Sequence, residues 1–147
     1  MDAAERRSWM HVPQIVEPFG KISGWRSVGW GLFPEPPHLI GHIVFLTDAR
    51  AISSAESLMG YVEALHLPIV GTPTAGTNGN PNSFAVPSGF ILSFTGMRVT
   101  RHDGTALHLQ GIQPTLIVEP TLAGIREGRD EVLERALALV TEGQRPL

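Results

Sequence analysis

The chain has 147 residues, 42% hydrophobic and 17% charged, the composition of a single globular domain large enough for a real core. A net charge of −3 argues against nucleic acid or an anionic membrane as its main partner, and no window reaches the ~18 apolar residues of a membrane span. The N-terminal stretch "MDAAERRSWMHV" has no apolar signal core, which leaves a cytoplasmic location as the default. Zero cysteines remove disulfides, thiolate zinc sites and cysteine nucleophiles together.

Residues 1–41 hold all three tryptophans (Trp9, Trp25, Trp30) and the run "PEPP", with neither a 3.6 nor a 2.0 period. They are expected to be irregular and to pack against something, as a linker or the remnant of a longer protein. The pattern changes at His42, and residues 42–147 read as the core. "HIVFLTD" reads as a strand buried on both faces. Ser53 to Leu65 reads as a helix with Leu58, Val62 and Leu65 at i, i+4 and i+7 and Met59 alongside, ended by Pro68. "PIVGTP" is a second strand, so the segment forms a βαβ unit with a parallel pair. The loop "GTPTAGTNGNPNS" follows. "FAVPSGFILSFTGMRVTRHDG" reads as antiparallel strands, with Thr95-Gly96 turning between "FILSF" and "MRVTR". "TLIVEP" is another strand. A last helix spans about Asp130 to Val140, with Leu133, Ala136, Leu137 and Val140 on its inner face. The predicted class is α/β with a mixed sheet and an antiparallel hairpin.

Two serines open the first helix. Ser53 and Glu56 fit a capping box, "S-S-A-E". The same position, directly after a buried strand, also suits a nucleophile, because the turn exposes Oγ and free N–H groups favour developing negative charge. The six histidines have no carboxylate cluster beside them, and no metal site or cofactor is expected. His102 and His108 flank "DGTAL". The glycine-rich loop lacks the lysine of a phosphate loop. Its glycines and asparagines serve equally as turn formers or as backbone approached by a bound peptide.

The pieces "AISSAES", "PIVGTPTAGTNGN" and "MRVTRHDGTALHLQGIQPTLIVEPT", in that order, resemble the catalytic core of the C-terminal processing peptidases, the serine peptidases that include tail-specific protease and the tricorn core. The resemblance covers roughly residues 40–140. It implies the crotonase-like (ClpP/crotonase) fold of stacked βαβ units and a peptide or protein substrate. It places the nucleophile at Ser53 in a Ser-x-x-Glu element with Glu56, and an oxyanion donor at the Ser54 N–H. It maps a substrate-binding loop onto Gly71, Thr74, Gly76, Thr77 and Asn78, and the "G-I-x-P" stretch onto Gly111 to Pro114.

The chain departs from that pattern in ways that bear on the base. The tail-specific branch uses a lysine directly after "T-x-G", where this chain has Thr77, and the single lysine, Lys21, lies upstream. The tricorn-like branch takes a histidine from well upstream of the nucleophile, and its glutamate would fall close to His108, where no carboxylate stands. The expectation is therefore the C-terminal half of such a peptidase, with its base supplied from upstream, or by His108 within the chain. Two other readings compete: a crotonase-like binding or assembly domain in which Ser53 is only a cap, and, more remotely, an acyl-CoA-handling enzyme. A sheet edge left open would favour homo-oligomers.

Overall fold

A computed structural model describes residues 10–15, 22–28 and 35–143; Trp9, Trp30 and Lys21 lie outside the described residues. The molecule mixes helices and strands. In chain order the elements are β1 (Met10–Ile15), β2 (Ile22–Val28), β3 (Phe45–Thr47), α1 (Ser54–Ala64), β4 (Ile69–Gly71), β5 (Pro81–Ala85), β6 (Ile91–Thr95), β7 (Arg98–Val99), β8 (Leu116–Ile117), α2 (Leu122–Glu127) and α3 (Glu131–Gly143).

The expected βαβ unit is present. β3 and β4 run parallel with Phe45 opposite Ile69 and Thr47 opposite Gly71, and β8 joins the far side of β4, giving the order β3-β4-β8. α1 makes the crossover and stops where His66 turns left-handed (φ 55) ahead of Pro68. Its buried face is Met59 and Val62 together with Glu56, Ser57 and Tyr61, whereas Leu58 and Leu65 of the expected stripe are exposed. The helix packs on a small core of Met10, Met59, Val62, Ile69, Val99, Leu107 and Ile112.

The strands of opposite sense are segregated rather than mixed in one sheet. β2-β1-β7 is wholly antiparallel, β3-β4-β8 wholly parallel, and β5-β6 a separate hairpin. The N-terminal segment thus contains paired strands where irregular chain was expected. Pro13 and Gly24, facing the partner strand within the pairing, break the sequence pattern that marks a strand. The hairpin also differs from expectation. "FILSF" pairs with "PNSFA" of the supposed loop, the turn falls at residues 86–90 with Ser88 and Gly89 at positive φ, and "MRVTR" crosses to β1. α2 was not foreseen; Thr121 caps it and Gly128 ends it left-handed. On α3 only Ala136 of the expected inner face is buried, and Leu133 and Leu137 are exposed.

No helix among the described residues is long and apolar enough to cross a membrane. His38 and His42 stand four residues apart in an exposed segment, and no group of three metal-ligand side chains forms among the described residues.

Candidate active site

Residues 48–53 link β3 to α1. Asp48 folds this link by accepting from the Arg50 backbone N–H (2.8 Å) and guanidinium (2.6 and 2.9 Å), and the guanidinium holds the Asp48 carboxyl below its ordinary value. Two backbone bonds then stitch the link to the glycine-rich loop: Ala75 N–H to Ala51 O (3.1 Å) and Ser53 N–H to Thr77 O (2.9 Å).

Ser53 is held at φ 54, ψ −116. A side chain with a Cβ rarely enters that region, and strain of this kind costs about 1–3 kcal/mol. A sharp strand-to-helix turn with such a strained residue at its apex is how a nucleophile elbow lifts its hydroxyl clear of the fold. The serine is exposed, and its side chain caps nothing. The capping box is therefore absent: the Ser53 side chain makes no cap bond, and the Ser53 N–H is taken by Thr77 O rather than by Glu56.

Glu56 has a different use. Its side chain is 1% exposed and points from α1 into the glycine-rich loop. Its Oε1 accepts the Thr74 hydroxyl (2.7 Å) and the Gly76 N–H (2.6 Å). The Thr74 hydroxyl oxygen in turn accepts the Ile112 N–H (2.7 Å), and the Thr74 N–H donates to the Ile112 carbonyl (3.1 Å). One carboxyl oxygen thus joins three stretches far apart in sequence: the helix after Ser53, the loop 74–77, and the "GIQP" stretch. Packing at the glycines is equally tight. Gly76 sits at φ +69, with the amide nitrogens of Leu109 and Gln110 only 2.8 Å from where a Cβ would stand. Arg101 clamps the same stretch by donating to the Gly111 carbonyl (2.6 and 3.2 Å). Beside Arg101, Glu63 is half-buried, and burial pushes its carboxyl above the ordinary value, partly offset by the guanidinium at 4.0 Å.

The other residues singled out from the sequence divide. Ser54 opens α1. Thr77 and Asn78 line a groove of about 280 Å³ together with Ile52 and His108, and Asn78 is fixed by donating to Ser57 Oγ (3.2 Å) and accepting from Gly79 N–H (2.8 Å). Thr74 and Gly76 lie beneath this groove in the Glu56 node. Gly71 is apart from them: it is a rung of the parallel sheet against Thr47 and Ile117. The groove's far wall, from Pro81 and β6, was not anticipated. A larger cavity of about 560 Å³ opens at the carboxyl ends of β3, β4 and β8. The two arginines among its lining residues are already bound, Arg50 to Asp48 and Arg129 to Glu134, each at 2.6 Å.

The sequence profile of peptidase family S41 matches residues 32–118, more than half of the chain and all of the Ser53–Glu56–Thr74–Ile112 node. The chain belongs to peptidase family S41. Among solved structures, this S41 domain is similar to a peptidase candidate from Parabacteroides merdae (TM-score 0.74, 21% identity, covering 90% of this chain and 42% of that one). It is also similar to mature CPAF in complex with lactacystin (0.61, 26%, 66% and 20%) and to tricorn protease (0.63, 21%, 71% and 11%). The chain therefore spans less than half the length of each. No curated protein sequence matches it.

Proposed function

We propose that this S41 domain is the nucleophile-bearing part of a serine peptidase, with Ser53 as the nucleophile toward a peptide carbonyl and the Ser54 N–H as one oxyanion donor. The observation that carries this is the backbone of Ser53: a strained, exposed serine without a capping bond at the head of a helix. Strain of that size persists where the surroundings over-determine it, and it concentrates at functional sites. The stacked βαβ reading of the fold as crotonase-like belongs to the same proposal, as does the division into a core at residues 42–147 and an upstream portion that supplies the base.

The base is a histidine in this reading, since Thr77 stands where the tail-specific branch has its lysine. The upstream portion of a longer peptidase would supply it; His108, which lines the same groove as Thr77 and Asn78, is the in-chain alternative. A base must come within about 3 Å of Oγ in the reacting complex. Loss of the base or of an oxyanion donor costs about 10²–10³-fold or more in rate, so the 147-residue chain alone should be a weak or silent peptidase. A fluorophosphonate probe tests the nucleophile. Labelling that maps to Ser53 and disappears in Ser53→Ala supports the reading, and a chain that stays unlabelled under conditions that label a control serine peptidase refutes an armed Ser53.

A further inference from the structure

The three asparagines of the chain, Asn78, Asn80 and Asn82, all follow Thr77 closely, and each has a different successor: Gly79, Pro81 and Ser83. The successor matters because the next backbone nitrogen can attack an asparagine side chain and close a five-membered ring. Proline has no N–H to give up, and Ser83 lies inside β5, paired with Ser93 of β6. Gly79 is different. Its N–H donates to Asn78 Oδ1 at 2.8 Å, and Cγ is one bond from Oδ1, so the nitrogen and the carbon it would attack are already neighbours. Both residues line the groove, which gives water access to them. Glycine is also imposed here: at φ +122 a Cβ would stand 2.6 Å from Thr95 Oγ1. The fold thus requires, at residue 79, the one amino acid that has no side chain to shield its nitrogen.

The amide end of Asn78 is tied to Ser53 through one hydroxyl. Asn78 Nδ2 donates to Ser57 Oγ (3.2 Å), and Ser57 Oγ donates to the Ser53 carbonyl (3.3 Å). We infer that Asn78–Gly79 is a self-modification site, at which the Gly79 nitrogen converts Asn78 into an aspartyl or isoaspartyl residue and so releases Ser53 from its held conformation. The Gly79 nitrogen gives its proton to hydroxide and bonds to Asn78 Cγ. The Cγ–Nδ2 bond breaks, and Nδ2 leaves as ammonia after taking a proton from water. Water then opens the succinimide at either carbonyl, and nothing is oxidised or reduced. The aspartyl product presents Ser57 with an acceptor where Asn78 presented a donor. A hydroxyl has a single hydrogen, so Ser57 either faces the carboxylate without a bond or turns to it and abandons the Ser53 carbonyl. The isoaspartyl product lengthens the main chain by one carbon directly after Thr77, whose carbonyl holds the Ser53 N–H at 2.9 Å. Either product also brings a charge into residues 78–97, which contain no ionisable side chain. The effect on reaction rests on Ser53 being the nucleophile; the conversion itself does not.

The test reads conversion and reaction separately. The full chain is aged folded in mildly alkaline buffer, beside Asn78→Gln and beside the wild-type chain unfolded in urea, and digests are read by mass spectrometry. Conversion shows as the mass gain of an amide turned acid. That separates it from Asp103-Gly104, where an isoaspartyl residue forms without such a gain. In the folded chain Asn78 should convert at least tenfold faster than Asn82, Asn80 should stay intact, and Asn78→Gln should show no conversion at residue 78 over the same time. Fluorophosphonate labelling of Ser53 should fall in proportion to the converted fraction. Asn78→Asp, the aspartyl product made directly, should be labelled at least tenfold more slowly; should it fail to fold, the aged wild-type chain supplies the same comparison. Conversion in urea but not in the folded chain overturns the inference, since the fold then protects the pair. Conversion without loss of labelling overturns the release of Ser53. A fresh chain that is never labelled refutes Ser53 as nucleophile instead, and the mass readout still tests the modification site.

Discussion

Replacing Glu56 separates two explanations for the node under Ser53. In Glu56→Ala the Thr74 hydroxyl and the Gly76 N–H both lose their acceptor in a buried place. Each orphaned donor costs about 1–3 kcal/mol, and the emptied side-chain volume adds to this, so a loss of about 3–5 kcal/mol is expected. Against a total stability of about 5–15 kcal/mol, that is a large share. Glu56→Gln keeps Oε1 and both of its bonds. It changes only the Oε2 side, where no hydrogen-bond partner lies among the described residues. Its cost should stay at about 1–3 kcal/mol, below that of Ala, because the acceptor geometry survives and the only new burden is a buried amide donor without a partner. Urea unfolding followed by circular dichroism measures both, with Ser53 labelling as the second readout. If Gln is as damaging as Ala, the negative charge rather than the shared acceptor holds the node. If Ala is harmless, the node does not couple α1 to the loop.

Ser53→Gly should stabilise the chain by about 1 kcal/mol in the same unfolding assay while abolishing labelling, since glycine enters φ 54 without the 1–3 kcal/mol strain but carries its own entropy cost. Gly111→Ala should cost about 3 kcal/mol or more, because at φ +65 its methyl group would overlap the Thr74 carbonyl; a melting curve within 2 °C of wild type would refute that packing. Glu63 has a raised carboxyl, so its favourable contribution is present below the ordinary glutamate value and lost as pH rises through the raised one. Glu63→Gln should therefore raise the melting temperature at pH 7, with the gain shrinking toward pH 4; a gain independent of pH would contradict burial as the cause. His108→Ala should slow fluorophosphonate labelling of Ser53 at least a hundredfold if His108 is the in-chain base, and leave it unchanged if the base comes from elsewhere.

The βαβ unit was legible because "HIVFLTD" and "PIVGTP" are short apolar runs and the stretch between them carries a helical apolar spacing and a proline stop. The face of α1 was not. The apolar spacing of Leu58, Val62 and Leu65 is as regular as that of the buried side, but Glu56 and Ser57 point inward to meet the loop, and that rotates the helix so Leu58 and Leu65 are exposed. A buried glutamate that serves a hydrogen-bond node has the same one-letter code as a surface one. The hairpin register failed for a related reason: Thr95-Gly96 is as good a turn signal as Pro87-Ser88-Gly89, and β1 decides between them by pairing with Arg98 and Val99. The structure brings Glu56, which lies one helix turn after Ser53, together with Thr74, Gly76 and the Gly111–Ile112 stretch, the segments that the motif order grouped. Gly71, grouped with them by the motif, sits in the parallel sheet, because a glycine that ends a strand and one that opens a loop look alike in sequence.

What ties these features together is the direction in which strain is held. A serine at φ 54 would relax if only its neighbours in sequence held it, since the link from residue 48 is exposed for much of its length. Its N–H is instead bound to Thr77 O, and Thr77 directly follows Gly76, whose own N–H is bound to Glu56 one turn along the helix that Ser53 precedes. The circuit closes on itself: serine to loop, loop to glutamate, glutamate to the helix that begins at the serine. Breaking any bond in it gives Ser53 room to leave the strained region, so Thr74→Val should weaken Ser53 labelling through Glu56 although residue 74 lies beneath the groove and outside its lining. That coupling is the physical content of the Ser-x-x-Glu spacing: three residues is the distance at which one helix turn brings the carboxylate under the loop that holds the serine's own amide.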